Sequence, residues 1–201
     1  MANPDAPFGF RPVANATGGT PARLATTKYR LSTAYGTSLF QGDVVKSDGG
    51  GNVVIGTAGD ALLGVFQGVQ WVASDGSMKF AKNWVASTAE KAGTVIEAFV
   101  HCDPNAFYEV QSNGTMTRAD IGQFVDIDTS TAGDATTGIS GQQTSATGGV
   151  EDQFQIVDVI VDKPVRNAAG NQDMLATGLN ARLIVKPVNH ELGGAATGVE
   201  V

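Results

Sequence analysis

One cysteine and two histidines are all the thiol and imidazole chemistry that these 201 residues contain. Cys102, being alone, excludes an internal disulfide. His190 stands in Asn189-His190-Glu191 with no second nitrogen or thiol nearby, short of the three or four ligands of a zinc centre. Charge is scarce too, at 16% of residues against roughly 25% in an average domain. What charge there is leans acidic, with 13 Lys and Arg against 20 Asp and Glu for a net of -7. Such a surface repels phosphate backbones, so nucleic acid is not an expected partner. No apolar run approaches the ~20 residues of a bilayer-spanning helix, so no membrane partner is expected either. The opening MANPDAPFGF has neither a basic n-region nor an apolar h-region, and folding in a reducing cytosol is the expectation.

Glycine, threonine and serine are abundant instead, filling 55 of 201 positions, 26 of them glycine. Glycine costs about 1 kcal/mol in a helix interior and threonine loses rotamer freedom there, so long helices are excluded and strands with turns are favoured. Short β-type runs recur with turn signals at a spacing of about 8 to 12 residues, the rhythm of an antiparallel sandwich or barrel. The predicted fold is therefore all-β, an antiparallel β-sandwich or barrel with an extended N-terminal arm and long Gly/Thr-rich loops. No alternating βα pattern supports a doubly wound nucleotide fold.

Residues 1–27 carry Pro4, Pro7, Pro12, Pro21 and Gly18-Gly19, which suits an extended arm more than a sheet interior. Its apolar cluster Phe8, Phe10 and Val13 is unusual for a solvated tail. Two readings stand side by side: the phenylalanines fold back on their own domain, or they dock on another subunit with Arg11 pairing a carboxylate there. A β-domain is expected over 28–190, with two subdomains, 28–110 and 111–190, as the alternative, followed by a loose tail over 191–201.

Within that domain, Phe40 to Lys46 and Val53-Val54-Ile55 flank Ser47 to Asn52 as a hairpin, and the glycines of Leu62 to Val72 suit a bent or bulged strand. Thr94 to Cys102 reads as a central strand, Asn113-Gly114 as a tight hairpin turn, and Arg118 to Gly122 as one helical turn. Gln153 to Lys163 and Leu183 to Val188 are further strands. Residues 129–150 hold a dense Gly/Thr/Ser mix with one acidic residue and no aromatic. That stretch reads as an exposed loop, and deletion of Ala135 to Thr147 is expected to be tolerated.

His101-Cys102-Asp103 is the one place where imidazole, thiol and carboxylate are adjacent. In a strand His101 and Asp103 share a face and Cys102 takes the other, so the couple diverges; a small buried Cys beside an edge His is expected. Asp126 with Asp128, and Asp158 with Asp162, lack the later ligands of a calcium loop. Gly49-Gly50-Gly51 is followed by Asn, and the chain has no Gly-Lys-Ser or Gly-Lys-Thr. Trp71, Trp84, Phe66 and Phe80 fit core packing better than a sugar platform. No catalytic residue, metal or cofactor is expected.

The stretches NPDAPFGFRPV, LFQGDVVKSDGGGNVV, AGDALLGVFQGVQW and DPNAFYEVQSNG together resemble small structural proteins of tailed bacteriophages, in particular capsid decoration or cement proteins. The similarity is one of overall pattern over about residues 3 to 130, without a catalytic signature. The resemblance implies an all-β particle component, often trimeric, made in the bacterial cytoplasm and bound to the major capsid protein on the capsid exterior. Its partner-binding residues are then expected in the arm, at Phe8, Phe10, Arg11 and Val13. Other phage structural roles, in a minor shell, head-tail or fibre component, and a carbohydrate-binding β-domain are the alternatives.

Overall fold

A computed structural model describes residues 3–15, 26–146, 153–160, 165–166, 172–173 and 178–193, and over these the chain is all-β. In chain order the strands are β1 (Arg11–Asn15), β2 (Thr27–Leu31), β3 (Val44–Ser47), β4 (Val53–Ile55), β5 (Gly64–Val72), β6 (Met78–Ala81), β7 (Ile96–His101), β8 (Ala106–Gln111) and β9 (Thr115–Met116). There follow β10 (Phe124–Val125), β11 (Ile127–Asp128), β12 (Gln143–Thr144), β13 (Phe154–Ile160), β14 (Val165–Arg166), β15 (Gln172–Asp173), β16 (Gly178–Leu179) and β17 (Arg182–Pro187). Among the described residues the one helical element is a 3-10 turn, Arg118–Asp120, at the place its sequence predicts. Thr117 caps it: its hydroxyl accepts from Ala119 N, while the Asp120 carboxylate accepts from Thr117 N.

Two antiparallel sheets form a sandwich-like arrangement. One runs β1-β8-β17-β13-β10; the other runs β2-β7-β5-β3-β4, with β6 also paired to β5. The predicted hairpin β3/β4 is present, a second hairpin joins β5 to β6, and β7 lies between β2 and β5 as a central strand. The register of β5 on β7 slips between Phe66 and Gly68, so the expected bulge is real and its extra residue is Gln67. Gly64 permits the close approach there, since a Cβ would lie 2.3 Å from the His101 carbonyl oxygen.

Strand alternation builds two cores from one sheet. Val44, Leu62 and Val65 join Phe10, Tyr108, Phe154, Leu183 and neighbours between the sheets. Their sequence neighbours Val45, Leu63 and Phe66 join Leu39, Trp84, Ile96 and Val100 on the opposite side. Adjacent apolar pairs therefore serve both faces of β3 and β5. Trp71 packs edge-on against Trp84 at 5.7 Å, so the tryptophans pack together at the second core, whereas Phe80 is exposed.

Several expectations are corrected. Residues 3–15 do not stand off as an arm: Arg11–Asn15 is an edge strand on β8, and the Phe10 ring is fully buried, stacked on Phe154 at 4.8 Å. Proline is compatible with this because an edge strand leaves one side of its backbone unpaired, and Val13 is the extra residue of a second bulge. Of the two readings of the phenylalanines, folding back holds for Phe10. Residues 16–25 lie outside the described residues.

Asn113-Gly114 is not a hairpin turn. Strands β8 and β9 do not pair with each other; β8 pairs β1 and β17, and β9 pairs β16. Neither central residue has the positive φ that such a turn requires, and Asn113 N donates instead to Thr144 O at 2.9 Å.

The Gly/Thr/Ser stretch is not an exposed loop throughout. Gly138 and Ser140 to Thr144 are buried, and they form a strap between the sheets. Gln41 N donates to Gly138 O and Gln41 O accepts from Ser140 N, both at 3.0 Å. Gln142 Oε1 accepts from Val44 N at 2.7 Å, and Gln143 Nε2 donates to Gln111 Oε1 at 3.3 Å. Buried polar side chains with distant partners satisfy one another here, and no apolar period announces them.

At the C-terminal end, Glu191 N donates to Leu62 O at 2.8 Å and its carboxylate accepts from Ser47 N at 2.7 Å, so Glu191 is tied to the sheet. The rest of the expected tail, 194–201, lies outside the described residues, as do Asp162 and Pro164.

Candidate functional site

Two bulged strands and one turn meet around a groove of about 430 Å³, lined by Phe8, Phe10, Arg11, Pro12, Gln41, Gly42, Gln67 and Ile139. Its N-terminal wall is held by Phe10 N donating to Gly42 O at 2.9 Å, and Gly42 N in turn donates to Phe66 O at 2.9 Å. Gly9, at φ +71, makes this approach possible: a Cβ there would lie 2.5 Å from Ser140 Cβ and 2.7 Å from Gly42 O.

Arg11 is exposed on β1, and its guanidinium lies over the Phe8 ring at 4.3 Å from the centroid. Stacking of this kind orients the cation while leaving its in-plane donors for a ligand. Opposite, the β5 bulge aims Gln67 at Gln41, whose Nε2 donates to Gln67 Oε1 at 3.4 Å. Gln67 Nε2 has no hydrogen-bond acceptor among the described residues. The groove thus combines apolar walls from Phe8, Pro12 and Ile139 with a cationic fork, which suits an extended segment carrying carbonyl or carboxylate oxygens.

Of the four residues expected to bind a partner, Phe8 and Arg11 line this groove and keep accessible surface. Phe10 forms its floor from within the core, and Val13 is half-buried in the β1 bulge. Gln41, Gln67 and Ile139 were not foreseen. The signal for Gln67 was the Gly-Val-Phe-Gln-Gly run, whose spacing announced the bulge that positions it.

Behind the groove, Asp43 is buried, with 2% of its surface exposed. Its Oδ2 accepts from Phe40 N at 2.7 Å, and its Oδ1 accepts from Ser140 Oγ. Burial raises its carboxyl from the usual 3.8 to about 6, against the opposing effect of those two hydrogen bonds.

His101, Cys102 and Asp103 diverge, but with burial opposite to expectation: the imidazole is buried and the thiol half-exposed. His101 is the last residue of a central strand, and its Nδ1 lies 2.9 Å from the Tyr108 hydroxyl. The Cys102 thiol donates to Thr27 Oγ1 at 3.1 Å, and the Asp103 carboxylate accepts from Asn15 Nδ2 and Asn105 N. Burial drives the Tyr108 phenol up and the His190 imidazole down from their usual values. His190 is not at a loose end; it is buried, and its Nδ1 accepts from Leu192 N at 3.1 Å.

The described residues contain no cluster of three His, Cys, Asp or Glu side chains placed to hold a metal ion. None of their helices is long and apolar enough to cross a membrane. No family model, curated protein or solved structure matches the chain.

Proposed function

We propose that this chain is a structural protein of a tailed-phage virion, a head decoration or cement protein that binds the major capsid protein on the outside of the shell. The observation that carries this reading is the groove walled by Phe8 and Arg11 and backed by Gln41, Gln67 and Ile139. A groove with apolar walls and a stacked guanidinium suits capture of an extended segment better than turnover of a small molecule. The acidic balance of -7 agrees with a partner other than nucleic acid. Copies of the chain, expected as a trimer, would bridge neighbouring capsid subunits. Each contact is modest at about 25 cal/mol per Å² before association costs, and many copies together resist internal pressure.

A minor shell, head-tail or fibre role would draw on the same groove, and binding to heads distinguishes these from decoration. For a carbohydrate-binding domain, Phe80 is the one exposed ring among the four aromatics considered.

Co-sedimentation with expanded heads assembled without this protein tests the reading. The native chain should pellet with the heads, and Phe8→Ala combined with Arg11→Ala should weaken attachment at least tenfold while cooperative unfolding is retained. Failure of the native chain to bind heads overturns the decoration reading. Full attachment by the double variant overturns the groove as its site.

A further inference from the structure

We infer that residues 189–193 form an acid-released clasp: protonation of His190 undoes its turn and frees this segment from Leu62 and Ser47. This does not rest on the phage reading.

The clasp joins the end of β17, in one sheet, to the β3 and β5 side of the other. Asn189 O accepts from Leu62 N at 2.9 Å and Glu191 N donates to Leu62 O at 2.8 Å, while Ser47 N donates to the Glu191 carboxylate. His190 lies between these bonds and is 2% exposed. Its Nδ1 accepts from Leu192 N at 3.1 Å, and its carbonyl accepts from Gly193 N at 3.0 Å. With Nδ1 accepting, the proton of the neutral imidazole sits on Nε2. That nitrogen is buried and has no acceptor among the described residues.

The closed clasp has no place for the imidazolium, which carries N–H at both nitrogens. At Nδ1 the new donor meets the Leu192 N–H and ends that bond; at Nε2 a charged N–H stays buried without an acceptor. The cavity beside the ring is about 10 Å³ and walled by Val44, Leu62, Val65 and Phe154, which leaves a water short of polar partners. Tyr108 of β8 is the other titratable side chain lining it, and its hydroxyl lies against His101 Nδ1 of β7 at 2.9 Å. From β17 Pro187 faces the cavity, and Lys186 alternates to the opposite side of the strand. The carboxylates of Glu191 and Asp60 are engaged by Ser47 N and Lys46. Asp103, in the loop between β7 and β8, favours the imidazolium, but burial outweighs it and holds the ring below its usual value. Opening returns the imidazole to water, where it titrates near 6.5, so opening gains about tenfold for each pH unit below that value while the closed ring stays neutral.

Native-state hydrogen exchange of the full chain, read by NMR and corrected for intrinsic rates, tests the clasp. Between about pH 7.5 and about pH 5 the Glu191 and Leu192 amides should lose at least about tenfold in protection. At both pH values they should exchange at least about tenfold faster than the amides of β7, the mark of a segment that opens by itself. His190→Asn keeps an acceptor at the Nδ1 position without a titrating ring, and should hold both amides within about twofold over the same range. Comparing the two chains cancels the titration of Asp43, which they share. Protection independent of pH in the native chain, exchange only in step with β7, or an equal acid response in His190→Asn would overturn the proposal. Should His190→Asn fail to fold, the native ring decides: long-range nitrogen–proton spectra at about pH 7.5 should place its proton on Nε2, and a proton on Nδ1 overturns the proposal.

Discussion

Ser140 Oγ donates to Asp43 Oδ1 at 2.5 Å, joining a residue of the Gly/Thr/Ser strap to the strand-entry turn of the six-stranded sheet with both side chains buried. The two positions are 97 apart in the chain. Their contact brings together the groove, the strap and the junction of the sheets, and it makes the stability of the fold depend on pH in a particular direction.

The Asp43 carboxyl is raised in the folded state, so its contribution to stability is fully present below the unfolded value of 3.8 and is lost as pH rises through about 6. The rise corresponds to ~3 kcal/mol. His190, held below its usual value by burial, acts oppositely, its contribution falling as pH drops below that of the free imidazole. Comparing native chain with Asp43→Asn isolates the carboxylate. The stability of the native chain relative to the variant should fall by about 2–3 kcal/mol between about pH 4 and pH 7, read from urea unfolding. A constant difference across that range would refute the assignment.

Removing the strap should be severe. Deletion of Ala135 to Thr147 takes away the acceptor for Val44 N and one of the two donors to Asp43, leaving a buried backbone N–H unpaired and Asp43 Oδ1 without its Ser140 donor. The variant should lose its cooperative unfolding transition. The single change Gln142→Ala should cost about 1–3 kcal/mol for the same reason; a deletion variant that melts like the native chain would show the strap to be dispensable.

Phe10 and Arg11, adjacent in sequence, should behave oppositely. Phe10→Ala empties a fully buried, stacked position and should cost about 3–5 kcal/mol. Arg11→Ala alters an exposed side chain and should stay within about 0.5 kcal/mol, its effect appearing in head attachment alone. Thermal unfolding of the two variants side by side makes the comparison.

Gly9→Ala should destabilise by roughly 2–5 kcal/mol, because strain at φ +71 adds to overlap with Ser140 Cβ and Gly42 O. Calorimetry on Gly9→Ala and on Gly76→Ala separates the two causes. Gly76, at φ +86, has open space around its missing Cβ and should show the backbone cost alone.

The sequence by itself determined the fold class, the absence of long helices, and most strand and turn positions, because these depend on local properties. Glycine and threonine disfavour helix wherever they stand, Asp75-Gly76 turns the chain between β5 and β6, and the glycines flanking Gln67 announce a bulge without help from distant residues. The extended backbone at Phe8 and Arg11 was legible for a similar reason, since Pro7 and Pro12 stand on either side of that stretch.

Only the tertiary structure decided the fate of Phe10, Asn113-Gly114 and residues 138–144. A phenylalanine in a proline-rich segment has the same local preferences whether it docks on Phe154 or on another molecule; the stacked partner 144 positions away makes the choice. Asn113 turns its N–H to Thr144 because that carbonyl is near in space, overriding the local preference for a tight turn. Ser140, Gln142 and Gln143 are buried because Asp43, Val44 and Gln111 supply partners of matching geometry. Burial of polar groups depends on long-range complementarity, which short-range composition and periodicity do not encode.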